Sequence, residues 1–197
     1  MIVTNPWQSA HGAETHDGDV SLSMRASLIF RLDARDRAWF NRLVLGDTAP
    51  AVSTFLWITV THLGGATSAI TAVLLPLLVA HGALRDAAVD GATALLLSHL
   101  AVQLIKRRIL RERPVPARHG RSLVGVPDRF SFPSGHACAA MSVAFAYGMA
   151  FPVFAVPLIV MAVVVGMSRV RLGVHYPGDV LAGQALAVVT VLALRMP

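Results

Sequence analysis

Three short polar segments in the second half of the chain contain the residue types that phosphoryl transfer requires. They are Lys106 with Arg113-Pro114, residues 132–136 (FPSGH), and Ser168-Arg169 with His175 and Asp179. A phosphoryl group in transfer spreads negative charge over its oxygens, so a protein that moves it supplies mainly positive donors and positioning. The three segments together therefore predict a site that handles phosphate.

Phosphate binding is predicted for five of these residues. Lys106, Arg113 and Arg169 supply positive charge, and arginine can bind phosphate oxygens through two parallel hydrogen bonds. Ser134 adds a hydroxyl donor, and Gly135 lets the backbone approach closely. Both precede an apolar run, where a helix N-terminus would favour an anion.

The third segment also pairs an imidazole with a carboxylate. His175 and Asp179 are four residues apart, a spacing that puts both on one face if a helix begins there, and Pro177 is well tolerated at a helix start. A carboxylate close to an imidazole fixes its tautomer and supports the positive charge that it acquires.

In this order, the three segments resemble the signature motifs of the type 2 phosphatidic acid phosphatase family, also called the lipid phosphate phosphatase and vanadium haloperoxidase superfamily. The resemblance covers residues 95–187, about half of the chain, and is to a membrane-bound bacterial type of member. It implies that His175 is a nucleophile forming a phosphohistidine, that Asp179 orients it, and that His136 protonates the leaving group. The resemblance also implies that the protein uses no cofactor.

Other interpretations of these residues are weaker or stay open. Two histidines and an aspartate could form a metal site, but the nearby cations would repel a divalent ion, so no metal is expected. Ser134 lacks the G-x-S-x-G setting of a nucleophilic serine. Arg111, two residues before Arg113, could act in the site or simply anchor the interface.

The composition indicates that membrane helices position these segments. The 197 residues are 55% hydrophobic and 14% charged, against about 25% charged for an average soluble domain. The chain carries 17 Lys+Arg and 11 Asp+Glu. Because these basic residues interrupt apolar spans and form no solvated face, no nucleic-acid partner is expected. Cys138 is the sole cysteine, so no intramolecular disulfide is possible.

The hydrophobic pattern predicts an all-α integral membrane bundle of five transmembrane helices with an N-terminal interfacial helix. Residues 1–24 read as a mobile polar tail, and residues 25–197 as a single phosphatase domain. The interfacial helix covers 33–45, and the chain enters the membrane through residue 63. The spans are placed near 66–83, 87–105, 134–151, 153–167 and 177–194. Gly64-Gly65 divides the first uncharged stretch, Pro76 is a candidate kink, and residues 49–63 as a short extra span would make six.

The order of the spans predicts that the three segments meet at one membrane face. The second span ends at Lys106, the third begins near Ser134, and the third and fourth form a hairpin that returns to Ser168. The excess of basic residues on this face would put it in the cytoplasm. The family resemblance instead implies an extracytoplasmic site in a multi-pass protein of the inner (cytoplasmic) membrane.

We therefore expect a membrane-bound phosphatase that hydrolyses a phosphate monoester or pyrophosphate of a lipid and uses no metal. Candidate substrates are undecaprenyl pyrophosphate, phosphatidylglycerophosphate and phosphatidic acid, among which the motifs do not choose. The partners are then the lipid phosphate and the bilayer, and the oligomeric state stays open. The alternatives are a small non-enzymatic anion transporter and a haloperoxidase-like enzyme that holds vanadate.

Overall fold

The computed structural model of the protein describes residues 33–46, 48–115, 124–125 and 128–196. The predicted polar tail, residues 1–24, lies outside them. The helices are α1 (33–43), α2 (Ala51–Leu63), α3 (Ala66–Val79), α4 (Ala83–Ile109), α5 (Gly135–Ala150), a 3-10 turn (Pro152–Phe154), α6 (Ala155–Arg171) and α7 (Pro177–Arg195). Among the described residues, β-pairing is limited to an isolated bridge between Glu112 and Phe130. The predicted all-helical fold is confirmed.

Length and hydropathy identify the segments that can cross a bilayer. Three are long and apolar enough alone, namely α4 with 27 residues, the 3-10 turn with α6 at 20, and α7 with 19. Helices α2 and α3 qualify together as a pair bent by 43°. The protein is therefore a multi-pass membrane protein. Helix α5 has 16 residues and α3 has 14, about 24 Å and 21 Å of helix, so two of the five predicted spans are clearly shorter than the roughly 30 Å hydrocarbon core.

Helix α5 lies inside the bundle and packs against α4, α6 and α7. Its sequence, GHACAAMSVAFAYGMA, is rich in small residues, which let neighbouring backbones approach closely. Polar side chains add contacts between helices. The hydroxyls of Ser98 on α4 and Ser142 on α5 are 2.8 Å apart, and the Tyr147 hydroxyl donates to the Ala72 carbonyl of α3 at 2.8 Å. The helix that carries the FPSGH motif is thus fixed on several sides.

Large apolar side chains remain exposed on the outer surface of the bundle. Examples are Leu74, Leu78, Leu96, Leu100, Leu104, Val156, Val160, Leu181 and Val189. Exposed side chains of this type on four helices are what a lipid-facing surface requires, because lipid chains take the place of water around them.

The break between α2 and α3 falls at Gly64-Gly65, as predicted. A Cβ atom on Gly64 would lie 2.4 Å from Cγ1 of Val165, so glycine is needed for α6 to pack this closely. Helix α2 then lies beside α6, and α3 lies beside α4 and α5. Pro76 lies inside α3, which ends at Val79. Helix α3 is therefore four residues shorter than the predicted span 66–83, and it reaches the length of a span only together with α2.

Helix α1 docks on the end of the bundle where α6 ends and α7 begins. The buried Phe40 packs edge-on against the Tyr176 ring with the centroids 5.4 Å apart. The Leu45 N–H donates to the Arg171 carbonyl at 2.9 Å. Trp39 stays exposed, in keeping with an interfacial position. The predicted interfacial helix 33–45 is therefore helical over 33–43 and attached to the bundle.

Candidate active site

Lys106 lies on the last turn of α4 with its ammonium group turned inward. It is 6% exposed, and its Nζ atom donates to Oδ2 of Asp128 at 2.8 Å and to the Phe130 carbonyl at 3.2 Å. These contacts tie the segment ahead of α5 to the end of α4. The predicted phosphate-binding lysine is therefore held by a carboxylate.

Arg113 contacts the same carboxylate from the other side. Its Nη2 atom donates to Oδ1 of Asp128, and its Nε to the Asp128 carbonyl, both at 2.9 Å. Burial alone would favour a neutral Asp128, but hydrogen bonds and charge from Lys106 and Arg113 hold the pKa of this carboxyl below its ordinary value. Asp128 is thus an anion bound between two of the predicted phosphate ligands.

The FPSGH segment is fixed by α7. The Ser134 N–H donates to the Asp179 carbonyl at 2.9 Å, and a Cβ on Gly183 would lie 2.4 Å from the Ser134 carbonyl oxygen. The Ser134 hydroxyl is buried and accepts a long contact, 3.5 Å, from the Ala137 N–H as the N-cap of α5. Gly135 opens α5 beside the cavity described below, whereas Ser134 is not among the cavity-lining residues.

The third segment wraps around the end of α6. The Arg169 carbonyl accepts from the N–H groups of Val174 and His175 at 3.1 and 3.3 Å, which turns the chain back toward α7. The Arg169 side chain is buried, and its Nη1 donates to the Thr61 hydroxyl at 2.6 Å. Its Nε has no hydrogen-bond partner within the described chain. A buried guanidinium with an unpaired N–H is suited to receive an anion.

The contacts of His175 fix its tautomer. Nε2 lies 3.0 Å from Nη1 of Arg113, and Nδ1 lies 3.5 Å from Oδ2 of Asp179. Because a guanidinium can only donate, Nε2 must carry the lone pair, and the proton of the neutral ring is on Nδ1, facing the carboxylate. The Nδ1 contact is an ion-pair separation rather than a hydrogen bond. This arrangement presents Nε2 as a nucleophilic nitrogen.

The protonation state of His175 agrees with that tautomer. Burial lowers its pKa to about 4, and the charge of Arg113 acts in the same direction, while Asp179 opposes both. The imidazole is therefore neutral at pH 7, with its lone pair on Nε2 directed at the Arg113 guanidinium.

A cavity of about 500 Å³ brings the segments together. Its lining includes Lys106, Arg113, Asp128, Gly135, His136, Arg169 and His175. The half-buried His136 faces the break between α2 and α3, where a Cβ on Gly65 would lie 4.0 Å from its Nε2. The cavity continues between α3 and α4 along Ala66, Ala69, Ile70, Leu95, His99, Val102 and Gln103. Cations, three imidazoles and an apolar wall thus share one space.

Sequence reasoning missed two contributors to this site and left the role of a third open. The missed residues are Asp128, which binds Lys106 and Arg113, and Thr61, which binds Arg169. Arg111, whose role stayed open, forms ion pairs with carboxylates of α1 and α7. Of the two missed residues, only Asp128 had a local signal, since it and Glu112 are the two acids among eight basic residues in 106–133.

A family model provides the decisive comparison. The model of the PAP2 superfamily matches residues 87–196, more than half of the chain and all three motifs. The chain belongs to the PAP2 superfamily. The resemblance inferred from the motifs is confirmed.

Curated PAP2 relatives are similar over different shares of their length. A decaprenylphosphoryl-5-phosphoribose phosphatase of Mycobacterium tuberculosis is 42% identical over 108 residues, 52% of this chain and 55% of the relative. A lipid A 1-phosphatase of Rhizobium etli is 37% identical over 98 residues, 47% and 42% of the two chains. Phosphatidylglycerophosphatase B of Bacillus subtilis is 32% identical over 94% of this chain and 81% of its own. The chain thus spans about half the length of the first two.

Two solved structures share the fold, one of them of PAP2 type. A transmembrane phosphatidylglycerolphosphate phosphatase from Bacillus subtilis superposes with a TM-score of 0.68 at 24% identity, covering 84% of this chain and 85% of that one. LpxE from Aquifex aeolicus also gives 0.68, at 18% identity, covering 81% and 94%. The arrangement of the helices is therefore shared with a known transmembrane PAP2 phosphatase.

Proposed function

We propose that this PAP2 protein is a membrane phosphatase that removes phosphate from a lipid through a phosphohistidine on His175. The observation that carries the proposal is the cavity itself. It joins a neutral imidazole and three cations to an apolar wall between two membrane helices. Such a space suits a phosphate whose hydrocarbon chain stays in the bilayer.

In the first step, Nε2 of His175 attacks phosphorus. The P–N bond forms while the bond to the lipid oxygen breaks, and His136 gives that oxygen a proton. Lys106, Arg113, Arg169 and the backbone N–H of Gly135 stabilise the equatorial oxygens. Asp179 supports the positive charge that the imidazole acquires.

In the second step, water attacks the phosphohistidine. His136, now neutral, takes a proton from the water, the P–N bond breaks, and inorganic phosphate leaves. In both steps, side chains of the protein itself stabilise the charge that develops on the phosphoryl oxygens and exchange the protons. We therefore infer that no metal ion is needed.

The apolar part of the cavity between α3 and α4 supports a lipid substrate, and it also contains two polar side chains. On α4, one to two turns before Lys106, the Nε2 atoms of Gln103 and His99 are 3.5 Å apart, and both residues line the cavity. Polar side chains at such depth in a membrane helix usually serve a site. We propose that they contact hydroxyl or ester oxygens next to the scissile phosphate. Neutral donors suit such oxygens better than a second phosphate, so a lipid phosphomonoester is favoured over a pyrophosphate.

We place the site on the extracytoplasmic face of the cytoplasmic membrane, which the membership in the PAP2 superfamily supports against the count of basic residues. Labelling of single-cysteine variants in intact cells tests this. Cys138 is replaced by alanine first, and a cysteine then replaces Arg129 beside the site. Reaction with a membrane-impermeant maleimide is expected, and protection until the cells are lysed would put the site in the cytoplasm.

The activity is tested with purified protein in detergent and a panel of lipid phosphates. Phosphatidylglycerophosphate, phosphatidic acid and undecaprenyl pyrophosphate are compared with and without EDTA. Phosphate release that persists in EDTA, stops with vanadate and is faster for a monoester is expected. Release that EDTA abolishes and magnesium restores would refute the metal-free mechanism, and no release from any lipid would refute the function.

A further inference from the structure

Arg111 binds three carboxylates that come from two different elements. Its Nη1 atom donates to Oδ1 of Asp179 at 2.7 Å and to Oδ2 of Asp36 at 2.8 Å. Its Nη2 donates to Oδ1 of Asp33 at 2.7 Å. Asp179 belongs to α7, whereas Asp33 and Asp36 belong to α1. One guanidinium therefore connects the helix before the first span to the carboxylate beside His175.

Further contacts hold the face of the Arg111 guanidinium and the Arg111 backbone. The guanidinium lies over the Tyr176 ring, 4.1 Å from the centroid, in a cation–π contact. The Arg111 carbonyl accepts from the Ser131 N–H at 2.7 Å, in the segment that leads into FPSGH. Burial opposes the charged form, but the charge of Asp179 and the three hydrogen bonds raise the pKa of Arg111 above its ordinary value. The Arg111 guanidinium therefore stays positively charged and is held in place by these contacts.

These contacts decide which oxygen of Asp179 faces the imidazole. Arg111 takes Oδ1, while Oδ2 accepts from the Tyr176 N–H at 2.8 Å and faces Nδ1 of His175. A fully buried carboxylate without a cation would tend to take up a proton or turn away. Either change would remove the group that orients the nucleophile.

We propose that Arg111, held by Asp33 and Asp36 of α1, is a positioning residue that fixes Asp179 for the attack by His175. Helix α1 thereby helps to position the carboxylate that orients His175. Asp36 strengthens the link, because its Oδ1 also accepts from the Gly178 N–H in the first turn of α7 at 2.8 Å. The inference rests on the proposed function, since it concerns the same nucleophile.

The location of Arg111 argues against a direct contact with phosphate. Arg113 lines the cavity, but Arg111, two residues earlier, does not. Its guanidinium is already shared among three carboxylates, so a phosphate would have to displace one of them. Loss of Arg111 should therefore affect the chemical step and leave substrate binding largely intact.

The test compares Arg111→Ala, Asp36→Asn and Asp179→Asn with wild-type protein, using p-nitrophenyl phosphate and a lipid monoester. Arg108→Ala is the matched control, since Arg108 is an exposed arginine near the end of α4. Because loss of a carboxylate's support in a catalytic triad costs up to about 10⁴-fold, we expect Arg111→Ala to lower kcat about 100-fold, with KM within threefold. Methylguanidinium should restore part of this loss in Arg111→Ala and none in Asp179→Asn.

Asp36→Asn should lower kcat severalfold alone and clearly less in the Arg111→Ala background, where only its contact with the Gly178 N–H remains to be lost. A raised KM with kcat kept in Arg111→Ala would make Arg111 a substrate ligand and overturn the inference. A loss of kcat in Arg111→Ala that methylguanidinium does not restore would also overturn it.

If Arg111→Ala does not fold, the Asp36→Asn variant decides the question. An unchanged kcat in Asp36→Asn would then refute the role of α1. Wild-type protein without phosphatase activity would refute the proposed function itself.

Discussion

His136 and His175, two of the three histidines that line the cavity, lie in very different surroundings. His175 is 2% exposed, its Nε2 is hydrogen-bonded to Arg113, its Nδ1 faces Asp179 at 3.5 Å, and its backbone N–H donates to the Arg169 carbonyl. His136 is half-buried at the start of α5 and faces the glycine break between α2 and α3. Across the described residues, no ion pair joins it to a carboxylate.

The difference matches the two tasks that the proposed mechanism assigns. A nucleophile must be neutral and aimed at phosphorus, so a fixed ring lowers the cost of reaching the transition state. A general acid must lie within hydrogen-bond reach of the leaving oxygen and later act as a base, which suits an imidazole that lines the cavity beside the break between α2 and α3. The buried, hydrogen-bonded histidine is thus the proposed nucleophile, and the half-buried one the proposed acid.

The largest expected effect comes from His175→Ala, which should abolish both turnover and the covalent phosphoenzyme, because no other described imidazole has Nε2 fixed in this way. Rapid-quench trapping with radiolabelled substrate measures the phosphoenzyme, and His81→Ala, an exposed histidine between α3 and α4, is the control. A phosphoenzyme that persists in His175→Ala and disappears in His136→Ala would reverse the two roles.

A smaller and selective effect is expected for His136→Ala. General acid catalysis typically contributes about 10²–10⁴-fold, so release of a lipid alcohol should slow by about that factor. Release of p-nitrophenolate, which leaves readily without a proton, should slow much less. Measuring kcat/KM for both substrates on the same preparation gives the comparison. Equal losses for the two leaving groups would argue against a proton-donor role.

The smallest effect is expected from lowering the pH from 7 to 5. With a pKa of about 4, His175 stays neutral and nucleophilic across this range and becomes protonated only below it. An imidazole with an ordinary pKa of about 6.5 would be only about 3% neutral at pH 5. We expect the rate of phosphoenzyme formation from p-nitrophenyl phosphate, corrected for substrate protonation, to change less than about twofold. A fall parallel to a titration near 6.5 would contradict this.

The sequence alone was sufficient for the fold class and for the motifs, because both depend on local patterns. Long apolar runs require helices in a bilayer, and their order brings Lys106, His136 and Arg169 to one end of the bundle. The glycine break at Gly64-Gly65 and the start of α5 at Gly135 were also readable, since glycine and the residues that precede a helix act over a few positions.

Only the tertiary structure decided which charges meet. Arg111 contacts Asp36 and Asp33 across 75 and 78 positions of sequence, Arg113 contacts His175 across 62, and Arg169 contacts Thr61 across 108. Such pairs depend on how helices pack and rotate, which hydrophobic periodicity does not specify. For the same reason, the sequence left the role of Arg111 open and gave no reason to connect helix α1 with His175, whereas the packing of α1 against α7 connects them through one guanidinium.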